Sequence, residues 1–175
     1  MGELRVTVLG SGSDGNGTVL DYKDGTIHQS ILLDCGVSRL SKMYNWDSLS
    51  GIYITHGHSD HVKSIQSTVR VKDAPVYITR PEWESERLRK YFDKMTCYTP
   101  RVKFITPTKP IVDGVFKVTP IPAHHDTEMP VHYMIEVAGK RIFYGCDTAD
   151  VSLETLDYIV RADIVLIECN YDDDA

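Results

Sequence analysis

Short apolar runs separated by turn-forming residues set the rhythm of this chain. Residues 4–9, 18–22, 31–34, 52–55, 76–79, 102–105, 116–121, 131–137, 141–144 and 162–167 are rich in Val, Ile, Leu, Thr, Tyr or Phe. Runs of this length, bounded by Gly, Asp, Asn and Pro, predict strands. Lys23-Asp24-Gly25 and Ala138-Gly139-Lys140 supply turn chemistry between neighbouring runs, the second as a hairpin turn. Helical segments interrupt the strands. Residues 61–69 open one, with Ser59 or Asp60 near its N-cap. Pro81 suits a first helical turn that residues 82–94 continue. Residues 151–160 form a third, with Asp150 as candidate cap. This mixed order predicts two packed sheets with helices outside them, because a regular doubly wound fold alternates strand and helix more strictly. No repeat, low-complexity tract or linker divides the sequence, so residues 1–175 are expected to form one domain with an ample core.

Composition narrows the class. A 42% hydrophobic and 25% charged content is ordinary for a soluble globular protein. No run approaches the ~20 apolar residues that span a bilayer. Met1-Gly2-Glu3-Leu4-Arg5 lacks the basic start and long apolar core of a signal peptide, so a cytoplasmic protein with no membrane partner is expected. The net charge of −6 argues against a surface built for non-specific duplex binding. Residues 63–103 depart from that balance, with ten Lys or Arg against five Asp or Glu. That excess reads first as a solvated helix face carrying Arg87, Arg89, Lys90 and Lys94, and second as a phosphate-facing lobe. Cys35, Cys97, Cys146 and Cys169 are scattered without a C-x-x-C pair, which indicates neither a zinc ribbon nor a disulfide framework. Cys35, Cys146 and Cys169 border apolar runs and are expected to be buried thiols.

The chemistry concentrates in His56-Gly57-His58-Ser59-Asp60-His61, which holds three of the seven histidines. It directly follows the apolar run at 52–55. Imidazole and carboxylate suit zinc, and also iron or manganese. A strand alternates its side chains between faces and cannot aim four ligands at one point, whereas a tight loop at its end can. His56 and His58 can then grip one ion while Asp60 and His61 turn towards a second. Two later clusters repeat the placement. His124-His125-Asp126 ends the run at 116–121, and Asp147 follows the run at 141–144. Their common position just past apolar runs predicts that all three share one pocket at an edge of the sheets.

His56-x-His58-x-Asp60-His61, then His125, then Asp147, in this order, resembles the metallo-β-lactamase superfamily. Leu33-Asp34-Cys35-Gly36 is similar to an early element of that family. Gly10-Ser11-Gly12-Ser13-Asp14-Gly15-Asn16 and Glu168-Cys169-Asn170-Tyr171-Asp172 resemble its YycJ/WalJ-type branch, usually described as DNA exonucleases or phosphodiesterases. The resemblance implies an α/β fold, the αβ/βα four-layer sandwich, with metals at the edge of its two sheets. It implies two divalent ions, zinc or alternatively manganese. His56, His58 and His125 would hold the first, Asp60 and His61 the second, and Asp147 would bridge them. Asp34 would orient the histidine loop from behind. His124 competes with His125 for the ligand role, and the His-Asp pair followed by Pro130 favours His125. His28 and His132 are expected to be structural.

The family pattern carries a further histidine after the bridging aspartate, and none lies in the 28 residues that follow Asp147. The second site is therefore expected to be incomplete unless a partner chain supplies the ligand. The C-terminal strand and helix of the branch are expected to be lacking, which would expose a sheet edge able to pair in a homodimer. The implied activity is phosphodiester hydrolysis in a nucleic acid or nucleotide by a metal-activated hydroxide, with Asp60 orienting the water and His124 or Tyr171 donating a proton to the leaving group. The glycine loop offers backbone N–H groups to a phosphate, or is a plain strand-joining turn. Two rivals stand beside this reading. One is hydrolysis of a cyclic nucleotide or small cyclic phosphate. The other is a catalytically impaired module that binds metal or nucleotide without turnover.

Overall fold

Apolar runs that look continuous in the sequence belong to strands buried on both faces. The computed structural model describes residues 2–92, 100–145 and 147–167, with the side chains of 90–92 excepted. Six strands form one sheet in the order β1-β2-β3-β4-β5-β6: β1 (Glu3–Gly10), β2 (Gly17–Asp24), β3 (Ile27–Leu33), β4 (Leu49–Tyr53), β5 (Val76–Thr79) and β6 (Val102–Ile105). Five form a second sheet in the order β11-β10-β9-β8-β7: β7 (Ile111–Asp113), β8 (Phe116–Pro122), β9 (Val131–Val137), β10 (Lys140–Gly145) and β11 (Ile164–Ile167). β3, β4, β5 and β6 run parallel, β10 and β11 run parallel, and the remaining neighbours are antiparallel.

Side chains alternate between the two faces of each strand, and each face has its own core. Leu20, Ile31, Leu33, Tyr53 and Tyr77 of the first sheet pack against Phe116, Val118, Tyr133, Ile135, Ile142 and Tyr144 of the second. Their sequence neighbours Val19, Leu32, Ile52, Ile54, Val76 and Ile78 point the other way. There they meet Val62 of α1 (Ser59–Val62), Ile65 and Val69 of α2 (Ile65–Val71) and Leu88 of α4 (Glu86–Phe92). On the outer face of the second sheet, Ile121, Met134 and Phe143 receive Tyr158 and Ile159 of α5 (Leu153–Val160). The layers therefore run helix, sheet, sheet, helix, the four-layer αβ/βα sandwich. Among the described residues no helix is long and apolar enough to cross a membrane.

The helices depart from expectation where a long-range bond overrides the local pattern. The helix predicted over 61–69 is two. Ser64 N–H donates to the Cys35 carbonyl, and its hydroxyl donates to the Val37 carbonyl, which breaks the ladder between α1 and α2. The N-cap of α1 is His58 rather than Ser59 or Asp60. The helix predicted from Pro81 is also split, into α3 (Arg80–Glu84) and α4, because Ser85 takes an extended backbone and its Oγ accepts the Leu88 N–H. The predicted stretch beyond residue 92 lies outside the described residues. Ser152, not Asp150, caps α5, accepting the Thr155 N–H at 3.0 Å. Strand β7 has no sequence signal of its own; it is three residues long, and Val112 on it is 76% exposed. The Ala138-Gly139 hairpin has φ of 50° and 74°, the left-handed pair of a type I′ turn.

Candidate metal centre

The parallel course of β3 and β4 brings their C-terminal ends to one edge of the first sheet. β8 and β10, both antiparallel to β9, do the same in the second. Asp34, the histidine loop, His125 and Asp147 follow these four strands. The two edges are joined where Val131 N–H donates to the Thr55 carbonyl at 3.0 Å, and the two loops of the second sheet where Ala149 N–H donates to the His124 carbonyl at 2.7 Å. The glycine loop closes a third side. Asn16 N–H donates to the Asp60 carbonyl at 2.7 Å, and Gly36 N–H to the Asn16 carbonyl at 2.8 Å. Residue 36 has to be glycine here, since a Cβ would fall 1.5 Å from the Asp60 carbonyl oxygen.

Two groups of ligand atoms converge. One comprises His56, His58, His125 and Asp147, the other Asp60, His61 and Asp147; within each, the ligand atoms lie within 4.8 Å of one another. His58 Nδ1 is 3.0 Å from both His56 Nε2 and His125 Nε2. Asp147 Oδ2 is 3.3 Å from His56 Nε2, 3.5 Å from His125 Nε2 and 3.3 Å from His61 Nε2. The edge of a tetrahedron around zinc, with bonds of about 2.0–2.1 Å, is about 3.3–3.4 Å. Hydrogen bonding alone satisfies this cluster poorly, because His58 Nδ1 can carry one proton at most and faces two ring nitrogens. The donor set fits a divalent cation.

Electrostatics agree with the geometry. Burial, and then the neighbouring His56, hold His58 and His125 below the usual histidine range, so both rings favour the neutral form that ligates. His61 lies among carboxylates. Burial opposes a charge there, but Asp34 and Asp147 outweigh it and lift the ring to about 10. A site that holds a proton so firmly is one that attracts a cation. Asp34 supports this ring from behind. Its Oδ1 accepts the Thr55 N–H at 2.9 Å, and its Oδ2 accepts the Tyr144 hydroxyl at 3.0 Å and faces His61 Nδ1 at 3.0 Å.

The remaining candidates fall around this core. Asp60 Oδ2 lies 3.4 Å from His61 Nε2 and lines, with Gly12, Ser13, His125 and Asp147, a concavity of about 530 Å³. An adjoining cleft of about 620 Å³ shares His125 and contains His124, Pro107 and Met129. His124 stands outside both ligand groups, exposed, with Nδ1 2.5 Å from Asp150 Oδ1. In the glycine loop, the Gly12 N–H is taken by Asn16 Oδ1 and the Gly15 N–H by the Gly12 carbonyl. His28 pairs with Asp21 at 2.9 Å, and His132 is buried near Phe143; neither joins the ligand groups. Burial raises the Cys35 thiol to about 12. Tyr171, Cys97, Cys146 and Cys169 lie outside the described residues. Sequence reasoning did not single out Thr55, Tyr144 or the Asn16 amide. The amide Nδ2 is 3.0 Å from His61 Nε2 and 3.3 Å from Asp60 Oδ2, a contact that no local pattern signals.

Comparison with known proteins gives the same picture. The chain is 29% identical over 178 residues to the exodeoxyribonuclease YycJ of Bacillus anthracis, covering 97% of this chain and 64% of that protein. It is 26% identical over 176 residues to the exodeoxyribonuclease WalJ of Streptococcus pneumoniae, covering 97% and 63%. The chain thus spans less than two thirds of the length of these curated relatives. The crystal structure of the metallo-β-lactamase fold protein YhfI from Bacillus subtilis superposes with a TM-score of 0.72 at 23% identity, over 98% of this chain and 73% of that one. The β-lactamase superfamily domain model matches residues 29–175. A match over that much of the chain, on a sandwich whose edge gathers these histidines and aspartates, makes the protein a member of the β-lactamase superfamily.

Proposed function

We propose that this chain is a metal-dependent phosphodiesterase acting on a nucleic acid or nucleotide. The convergence of His56, His58, His125 and Asp147 within 4.8 Å carries the reading. These four residues would hold one divalent cation, zinc by the chemistry of the donor set and manganese as the alternative. Asp60 and His61, with Asp147 shared, offer a second, less complete site. A cation held by these residues would lower the pKa of a coordinated water towards neutrality and screen charge on a phosphoryl oxygen. Asp60, which lines the same concavity, would orient the water and take up its proton. His124, with Nδ1 held by Asp150, keeps Nε2 as the ring position that can give a proton to the leaving oxygen. The similarity to the exodeoxyribonucleases YycJ and WalJ supports a nucleic-acid substrate over a lactam or thioester.

The test is a panel assay on metal-loaded protein: bis-p-nitrophenyl phosphate, 5′-phosphorylated DNA and cyclic mononucleotides, each with zinc or manganese. Hydrolysis of the phosphodiester and the DNA supports the proposal. Hydrolysis confined to cyclic mononucleotides supports the cyclic-nucleotide rival. Inactivity on all three in protein shown to hold metal would make this a binding module.

A further inference from the structure

Glu82 lies 1% exposed on the five-residue helix α3, with its two carboxylate oxygens pulled towards different loops. Oε2 accepts the Gly57 N–H at 2.8 Å, and Oε1 accepts the Met129 N–H at 2.7 Å. Gly57 sits between His56 and His58. Met129 belongs to the loop that carries His125 and enters β9. Thr79, also 1% exposed, donates its hydroxyl to the Met129 carbonyl at 2.9 Å. The corner between β5 and α3 therefore holds both backbone groups of Met129 and the amide at the middle of the histidine loop. Residue 57 is shaped for this contact, since a Cβ there would stand 3.1 Å from Glu82 Oε2 and 3.5 Å from Leu88 Cδ1.

A buried carboxylate is costly unless it is paired or fully hydrogen-bonded. Among the described residues no ion pair engages Glu82, and the carboxylate's hydrogen-bond partners are the two amides. Charge-assisted bonds to backbone N–H groups are short and directional, so one rigid carboxylate fixes the spacing of the two loops it bridges. Those loops come from different sheets, and their ring nitrogens have to stay about 3 Å apart to share one tetrahedral cation. We propose that Glu82, assisted by Thr79, is a positioning residue that sets the distance between the His56–His58 loop and the His125 loop, and thereby the cation affinity of the centre. The inference rests on the reading of that centre as metal-holding.

The test uses the full chain, stripped of metal and titrated with Co(II), whose visible absorption reports coordination geometry. Glu82→Gln keeps the shape but offers an amide N–H to one of the two backbone donors, so one loop is released. The dissociation constant for Co(II) should rise roughly 10–100-fold, and the visible bands should shift. Thr79→Val removes one neutral bond at the same corner, and the dissociation constant should rise about fivefold. A folded Glu82→Gln protein with wild-type affinity and spectrum would overturn the proposal, since a merely structural role lowers stability without moving either. If Glu82→Gln does not fold, Thr79→Val decides by the same criteria: a weakened, shifted Co(II) site supports the proposal and an unchanged one overturns it. Wild-type protein that takes up no Co(II) would sink the metal-holding reading itself. Wild-type uptake with unchanged variants sinks only the positioning role.

Discussion

Asp34 and His61 face each other with no exposure to solvent, Asp34 Oδ2 lying 3.0 Å from His61 Nδ1. The contact fixes which ring nitrogen of His61 is free. With Nδ1–H donated to the carboxylate, Nε2 is the ring nitrogen that faces Asp60 and Asp147, and it offers a lone pair once a cation takes the place of its proton. Asp34 itself has φ of 57°, a left-handed conformation that Asp and Asn tolerate better than most residues. Asp34→Asn therefore preserves the backbone while removing an acceptor that Tyr144 or His61 needs. Its stability should fall by about 1–3 kcal/mol, and its metal affinity by roughly 10–100-fold. Urea unfolding and a chelator-competition titration check the two halves. Wild-type values in both would show that Asp34 does not orient the ring.

The centre and the cleft beside it should separate by mutation. His58→Ala removes a proposed ligand that reaches solvent, so the protein should fold, lose metal and lose turnover. His124→Gln touches neither ligand group, so metal content should be unchanged while kcat drops by roughly 10²–10⁴-fold, the usual weight of a general acid. Metal analysis beside steady-state rates makes the distinction. A His124→Gln enzyme with full kcat would remove His124 from the chemistry.

His132 predicts a particular acid sensitivity. It is 1% exposed, and burial, then the fields of His56 and His124, push its pKa down to about 4. Among the described residues its Nδ1 has no hydrogen-bond partner. The unfolded chain binds a proton at this residue below about 6.5, whereas the folded chain resists it until about 4. Its contribution is thus present above about pH 6.5 and lost as pH falls towards about 4. By linkage, the loss between neutral pH and pH 5 is about 2 kcal/mol. His132→Phe should flatten that part of the acid limb. Denaturant unfolding of the metal-free proteins at pH 7 and pH 5 measures it, and identical pH slopes in the two proteins would refute the assignment.

The cap of α5 offers a check on the fold away from the site. Ser152→Ala removes the side-chain acceptor for the Thr155 N–H and should cost about 1 kcal/mol. Asp150→Ala, at the position the sequence suggested for the cap, should leave stability nearly unchanged. A reversed order in thermal melts would place the helix start at residue 150.

These cases also show where sequence reading works. Strand 76–79 was legible because burial on both faces needs an unbroken apolar run, and 131–137 because Val, Tyr, Met and Ile dominate it between turn signals. The histidine loop was legible because four of its potential ligands fall within six residues, and His125 and Asp147 because each follows an apolar run. The splits at Ser64 and Ser85 were not, since Ser64 is diverted by the Cys35 carbonyl and Ser85 leaves the helix to cap the next one. Glu82 carried no signal in the sequence beyond its place in the helix expected from Pro81. What it binds are two backbone amides, and backbone groups leave no mark in the side-chain pattern.

Anomalous X-ray diffraction at the zinc edge, from crystals of this chain grown with zinc, tests the central claim most directly. The account predicts a peak about 2.0–2.2 Å from His56 Nε2, His58 Nδ1, His125 Nε2 and an Asp147 carboxylate oxygen. Zinc bound elsewhere, with these four side chains uncoordinated, would contradict it.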